Sequence, residues 1–251
     1  MNLRILTWNM NHWQKKSMHE KIWKYLDKEL APDIALIQET VPFSKSFGFI
    51  GMGSEYPTSL LETQTVLWRE IGGNRKWGSG IVTRGLPIRE IPIKTTYYGS
   101  LIVGEIMLPD KSLLTVISLH ALLEQGYSIT TLHRMFSDLT FLLDGKLGKR
   151  KVILGGDFNA SIQWDKQQPG ESHRIMFERL ENFGLLSCVD LFSEKKSLQT
   201  YRHNRGNTPW QLDYLFISDT LRKYVTSCTV SLDETLHEFS DHNPIILELS
   251  I

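Results

Sequence analysis

Five short apolar runs in this chain end on, or enclose, an amide, a carboxylate or an imidazole. Residues 3–10 carry Trp8-Asn9, Ile34-Ala35-Leu36-Ile37 ends in Gln38-Glu39, and 113–119 is followed by His120. Val152-Ile153-Leu154 leads into Gly155-Gly156-Asp157-Phe158-Asn159, and Asp213 stands inside Leu212-Asp213-Tyr214-Leu215-Phe216-Ile217. A further piece, Ser240-Asp241-His242-Asn243-Pro244, precedes the final apolar stretch. Side chains at the end of a buried strand are held rigidly at a sheet edge, so a fold that gathers these ends builds one site from the whole chain.

The intervening pattern predicts the frame. Ser17 and Glu20 read as a capping box for a helix with Met18, Ile22, Leu26 and Leu30 at helical spacing, which Pro32-Asp33 breaks. Short strands follow at 65–68, 80–83, 101–108 and 113–119, with Gly72-Gly73 and Pro109-Asp110 as turn signals between them. Ser128 caps a second helix striped by Leu132, Met135, Phe136, Leu139 and Leu143, and a third covers 171–182 with Gly184 as its stop. Residues 151–154, 211–218 and 244–251 complete the strands, while 42–64, 161–170 and 202–210 read as irregular loops. Many strands with few helices predict an α/β protein of two packed, mostly antiparallel sheets with helices outside. At 251 residues, with motifs from the first strand to the last, one domain over 1–251 is the economical expectation.

Charge excludes little. Lys plus Arg equals Asp plus Glu at 28 each, so the whole surface has no positive field to draw polyanions, although a local patch suffices. Cys188 and Cys228 lie in apolar, strand-like stretches and are expected as two buried thiols. No apolar run is long enough to span a membrane, and Met1-Asn2-Leu3-Arg4 enters a strand without a secretory signal. A cytoplasmic monomer is the expectation.

Cleaving a phosphate ester requires neutralised phosphoryl charge, an aimed water and a stabilised leaving oxygen. A hard cation such as Mg²⁺ serves the first and third through oxygen ligands. Glu39 at a strand end, Asp241 and the Asn9 amide oxygen are the candidate ligands. Gly155-Gly156 permits a tight turn and a close approach. Asp157 and Asn159 then alternate with Phe158, so both polar groups face one way, to orient a water and hold a phosphate oxygen. Asp213 in an apolar strand needs a partner, because a buried unpaired carboxylate is costly. His242 fits, and the pairing would keep its imidazole charged near neutral pH. His120 is a second imidazole, suited to donating a proton or binding a phosphate oxygen.

Taken in order, Trp8-Asn9, Gln38-Glu39, Ser118-Leu119-His120, Gly156-Asp157-Phe158-Asn159, Leu212-Asp213-Tyr214 and Ser240-Asp241-His242 resemble the endonuclease/exonuclease/phosphatase superfamily from end to end. The resemblance implies a four-layer α/β-sandwich with the site at one end of its two sheets. It implies Asn9 and Glu39 at a metal, with Asp241 close by, and Asp157 on the nucleophilic water. Asn159 would contact the phosphate, Asp213 and His242 would act together on it, and His120 would fill a position held by His or Tyr. The chain departs from the pattern at Gln211, where many nuclease-like members carry Arg, and at Asn11, where apurinic-type nucleases often carry Asp.

The superfamily does not fix the substrate. Arg202, Arg205 and Trp210, with Trp164 after Asn159, suit a phosphate chain with stackable bases. Trp13 with Lys15-Lys16 forms a lesser patch, and Lys146, Lys149, Arg150 and Lys151 read as a solvated face away from the site. These residues predict a Mg²⁺-dependent phosphodiesterase, with Mn²⁺ as substitute, acting on nucleic acid and foremost DNA. A phosphatase or small-molecule or lipid phosphodiesterase is the alternative, and a non-catalytic binding relative is the second.

Overall fold

The computed structural model describes residues 1–42, 64–143, 150–166, 170–192, 198–202 and 208–251. Its strands are β1 (Asn2–Asn9), β2 (Ile34–Thr40), β3 (Gln64–Gly72), β4 (Arg75–Arg84), β5 (Ile88–Glu90), β6 (Leu101–Met107), β7 (Leu113–His120), β8 (Lys151–Asp157), β9 (Leu185–Ser187), β10 (Asp213–Ser218), β11 (Val225–Val230) and β12 (Ile245–Ser250). They form two six-stranded sheets, ordered β11-β12-β1-β2-β4-β3 and β5-β6-β7-β8-β10-β9. Each sheet is antiparallel except at one central pair, β1 with β2 and β7 with β8. The mostly antiparallel expectation holds.

Alternation of side chains along each strand makes the layers. Leu3, Ile5, Leu36, Val116, Ile153, Leu215 and Leu247 meet between the sheets in one buried cluster. The opposite face of the first sheet packs Leu6, Trp8 and Ile37 against α1 (His19–Tyr25), the π-helical turn Leu26–Leu30 that follows it, and the short α8 (Leu236–Phe239). The opposite face of the second sheet packs Leu154, Phe158 and Phe216 against α2 (Ile129–Asp138), α3 (Thr140–Leu143) and α5 (Ser172–Asn182). Helix, sheet, sheet, helix is the four-layer sandwich. The remaining helices are the short α4 (Ile162–Asp165), α6 (Cys188–Phe192) and α7 (Asp219–Arg222). Among the described residues no helix is long and apolar enough to cross a membrane.

Several local expectations change. The capping box does not form: Ser17 lies in the 3₁₀ turn Lys16–Met18, and Met18 precedes α1 without a side-chain cap. Ala31, in the left-handed region at φ 45°, stops the helical segment just before Pro32. Ser128 does not cap α2 with its side chain, for its hydroxyl donates to the Asn159 carbonyl at 2.5 Å. Gly155-Gly156 is no turn but lies inside β8. A Cβ at Gly155 would stand 2.9 Å from Leu36 of the facing sheet, and one at Gly156 would stand 1.7 Å from the Leu119 carbonyl oxygen. These glycines set sheet–sheet and strand–strand approach. Cys188 begins α6 rather than a strand, Cys228 lies in β11, and both are buried free thiols.

Candidate active site

The period-two rule that builds the inter-sheet core also aims its polar ends. On β1 the face carrying Leu3 and Ile5 continues to Thr7 and Asn9; on β7 the face of Leu114 and Val116 continues to Ser118 and His120. On β8 Ile153 and Gly155 lead to Asp157, and on β10 Asp213 precedes Leu215 and Ile217. Because β7 runs parallel to β8 and β10 antiparallel to it, His120 and Asp213 both stand in register with Asp157. Asn9 pairs with Gln38 on the neighbouring β2. These strand ends therefore converge at one edge of the sandwich.

Glu39 needs an extra device, since strict alternation from Leu36 would send it to the other face. The β2–β4 register shifts between Ile37 and Thr40, and Glu39 sits at φ 48°, which re-aims its side chain. Its carboxylate then lies 3.5 Å from His120 Nε2, and Asp157 Oδ2 lies 3.8 Å from the same nitrogen. Ligand atoms of Glu39, His120 and Asp157 fall within 4.8 Å of one another, as do those of Asp157, Asp213 and His242, so Asp157 is common to both groups.

The pairing of Asp213 with His242 forms: His242 Nδ1 stands 2.8 Å from Asp213 Oδ2, and both residues are buried. Burial alone would lower the imidazole's pKa, but the Asp213 and Asp157 carboxylates outweigh it and raise it to about 10. His242 is thus an imidazolium whose Nε2 stands 3.9 Å from Asp157 Oδ2. His120 behaves oppositely. Burial, then the His242 and Arg75 charges, lower its pKa to about 3, so this ring is neutral. Its Nδ1 is buried without a partner among the described residues.

Glu39 and Asp157 show what the site is suited to hold. Burial, with Asp241 adding, lifts the Glu39 pKa to about 7 although His242, the Asn9 amide and the Trp13 side chain pull it down. Burial and then Asp213 raise Asp157 likewise, against His242. Asp213 Oδ1 is buried with no partner among the described residues. Converging carboxylate oxygens with too little positive charge are what a hard divalent cation requires, so this donor set fits one.

Of the expected ligands, Asn9 and Glu39 lie together. The Asn9 amide donates to Asp157 Oδ2 at 2.9 Å, lies near enough to Glu39 to lower its pKa, and accepts from Asn11 N at 3.0 Å through its oxygen. Asp241 is close enough to act on Glu39 electrostatically, but its Oδ1 accepts from Asn11 Nδ2 at 2.8 Å. Asn159, at φ 45°, gives its amide to the Ala121 carbonyl at 3.1 Å and Asp157 Oδ2 at 3.2 Å, while its backbone N–H meets Asp157 Oδ1 at 2.8 Å. It fixes the Asp157 carboxylate.

The loop residues divide. Arg202 turns inward and donates to the Asn243 side chain and the Ser240 and Leu236 carbonyls, holding the Ser240–His242 turn. Trp164 and Trp210 meet at a ring separation of 5.8 Å, both half-buried. Trp210 reaches the site through Tyr201, whose backbone bridges both Trp210 and His242 and whose ring lies 4.9 Å from the His242 ring. Arg205, like Lys146 and Lys149, lies outside the described residues.

Two supporting roles escaped the sequence reading. Buried Thr200 accepts the backbone N–H groups of Leu212 and Asp213, each at 2.9 Å, through one hydroxyl. Ser240 donates to the Asn9 carbonyl at 2.7 Å and accepts from His242 N at 3.0 Å, fastening the turn to β1. Ser240 had its place in a motif as a signal; Thr200 had none.

The sequence profile of the Endonuclease/Exonuclease/phosphatase family matches residues 6–242. No curated protein matches the chain. Among solved structures, an AP endonuclease from Leishmania major is similar at TM-score 0.73 and 16% identity, covering 100% of this chain and 88% of that one. A 3' phosphatase from Neisseria bound to product DNA hairpin is similar at TM-score 0.73 and 17% identity over 99% and 100%. The endonuclease domain of a telomere-specific non-LTR retrotransposon is similar at TM-score 0.68 and 18% identity over 99% of each chain. At these identities the structures attest the fold, while the profile spans nearly every element of the site. The chain belongs to the Endonuclease/Exonuclease/phosphatase family, a superfamily of metal-dependent phosphoesterases.

Proposed function

We propose that this chain hydrolyses phosphodiester bonds of nucleic acid, with DNA the foremost substrate, using Mg²⁺, for which Mn²⁺ can substitute. The observation that carries this reading is the shared Asp157, whose carboxylate belongs at once to the Glu39–His120 group and the Asp213–His242 group. Similarity to an AP endonuclease and to a DNA-bound 3' phosphatase supports nucleic acid over other phosphate esters.

Glu39, with Asn9 and Asp241 beside it, would hold the cation, leaving Asp157 to the water. When bound, it neutralises phosphoryl charge and lowers the cost of the developing leaving oxygen. The chain's own groups do the rest. His242, fixed by Asp213 through Nδ1 and charged, offers its Nε2 proton to a non-bridging phosphate oxygen. Asp157, aimed by the Asn9 and Asn159 amides, takes the proton of the attacking water. Asn159 and Asn11 are positioning residues, the first for Asp157 and the second for Asp241. Trp164 and Trp210 form a rim for neighbouring nucleotides.

A substrate panel tests this: plasmid DNA, abasic duplex, single-stranded RNA, inositol phosphates and an aryl phosphodiester, with His242→Ala as control. DNA cleavage that requires Mg²⁺ or Mn²⁺ and collapses in His242→Ala is expected. Turnover of monoesters only sinks the nuclease reading. Glu39→Ala separates a binding protein, which would keep its ligand, from an enzyme, which would lose turnover.

A further inference from the structure

Beside the candidate centre lies a cavity of about 550 Å³ whose lining includes His12, Trp13, Lys16, His19, Lys76 and Trp77. We propose that it is a subsite for one unpaired nucleobase and its adjoining phosphate, next to the phosphate that is cut. This rests on the phosphodiesterase reading and narrows it to strands whose base is free to leave the stack.

The two indoles carry the argument. Trp13 is 45% exposed, yet its side chain lies close enough to Glu39 to pull that carboxyl's pKa down. Trp77 lies with its ring 5.4 Å from His120. Each tryptophan therefore stands beside one member of the Glu39–His120–Asp157 group while lining the same cavity, so a ring held there abuts the reacting phosphate. Glycine at position 78 makes this geometry of β4 available, because a Cβ there would fall 1.7 Å from the Arg69 carbonyl oxygen.

The polar lining selects the rest of the ligand. Lys16 and Lys76 contribute two ammonium groups, the second 3.4 Å from the Glu70 carboxylate, Arg75 stands 5.9 Å from the Trp77 ring, and no carboxylate is among the lining residues described. Aromatic faces beside cations suit a base with its phosphate. The wall behind them is stiff: the His12 and His19 rings stack at 4.4 Å, and His19 Nε2 meets the His12 carbonyl at 2.8 Å. The volume lies in the range that holds a small-molecule group. A base inside a duplex hides both faces, so only an unpaired or extruded base presents one to an indole.

The test is equilibrium binding in EDTA, where cleavage does not intervene. Fluorescence anisotropy compares a labelled single-stranded pentathymidylate with the same strand carrying a central tetrahydrofuran abasic residue. The subsite predicts roughly tenfold weaker binding of the abasic strand by the wild-type protein. Trp77→Ala should erase that difference and Trp77→Phe should restore much of it, which a merely misfolded variant would not do. Equal wild-type affinity for the two strands overturns the proposal. Base-dependent binding without hydrolysis under any divalent cation would leave the subsite standing and sink the phosphodiesterase reading. Metal-dependent hydrolysis of an aryl phosphodiester without base preference would sink the subsite alone.

Discussion

His242 Nδ1 lies 2.8 Å from Asp213 Oδ2 across 29 residues of sequence, one group from the turn before β12 and the other from the first position of β10. The pair keeps a proton on a buried imidazole. Asp213→Asn should remove that support, lower the His242 pKa and reduce kcat by about 100-fold or more. Because the folded pKa is raised above the usual 6.5, the pair's stability contribution is full below 6.5 and is lost as pH rises through about 10. Imidazole NMR of the metal-free protein checks this: the His242 ring should stay protonated at pH 8 in the wild type and lose that proton in Asp213→Asn.

Glu39 is held at a cost. Its raised pKa means that the metal-free fold is destabilised as pH rises from the usual carboxylate range through about 7. Mg²⁺ should therefore raise the melting temperature more at pH 8 than at pH 5. Glu39→Gln should abolish that increment while making the metal-free protein as stable as the wild type, or more so, at pH 8. Differential scanning calorimetry with and without Mg²⁺ reads both.

Thr200 satisfies two buried N–H groups at the start of β10 with one oxygen. Thr200→Val should cost about 2 kcal/mol in urea denaturation, since both donors lose their acceptor. Thr200→Ser keeps the oxygen and should recover most of the loss. Turnover should follow the same order, because Asp213 is one of the two residues held.

Asp165 holds the first turn of α5 from eight and nine residues upstream. It accepts from the His173 and Arg174 backbone N–H groups at 3.2 and 2.8 Å and meets His173 Nδ1 at 2.7 Å. Burial opposes its ionisation, but these bonds outweigh that and hold its pKa below the usual value. Its contribution is therefore present above about pH 4 and disappears as pH falls through the lowered pKa. Asp165→Asn should lose about 1 kcal/mol at pH 7 and progressively less toward pH 2, measured by urea denaturation.

What could be read in the sequence follows from which forces act locally. Asp213 announced its partner because a carboxylate in an apolar strand has to be paired, and alternation around Phe158 pointed to Asp157 and Asn159 as a polar pair. Contacts made by distant chain ends left no such mark. Thr200 looks like any threonine before a loop, and Asp165 caps a helix whose own first residues suggested Glu171 as its start. The Ser17–Glu20 spacing promised a cap, but a 3₁₀ turn occupies Lys16–Met18 and α1 begins at His19. Arg202 read as a phosphate contact, since sequence does not tell an inward guanidinium from an outward one. The three-residue strands β5 and β9 are too short to show a period.

The most direct test of the central claim is bis(p-nitrophenyl) phosphate turnover across a Mg²⁺ titration from EDTA-treated protein, wild type against Asp157→Asn. Turnover should be absent in EDTA, rise to saturation with Mg²⁺, and fall by about 1,000-fold in Asp157→Asn. Turnover unchanged by EDTA, turnover in Asp157→Asn within twofold of the wild type, or none with either Mg²⁺ or Mn²⁺ would contradict the account.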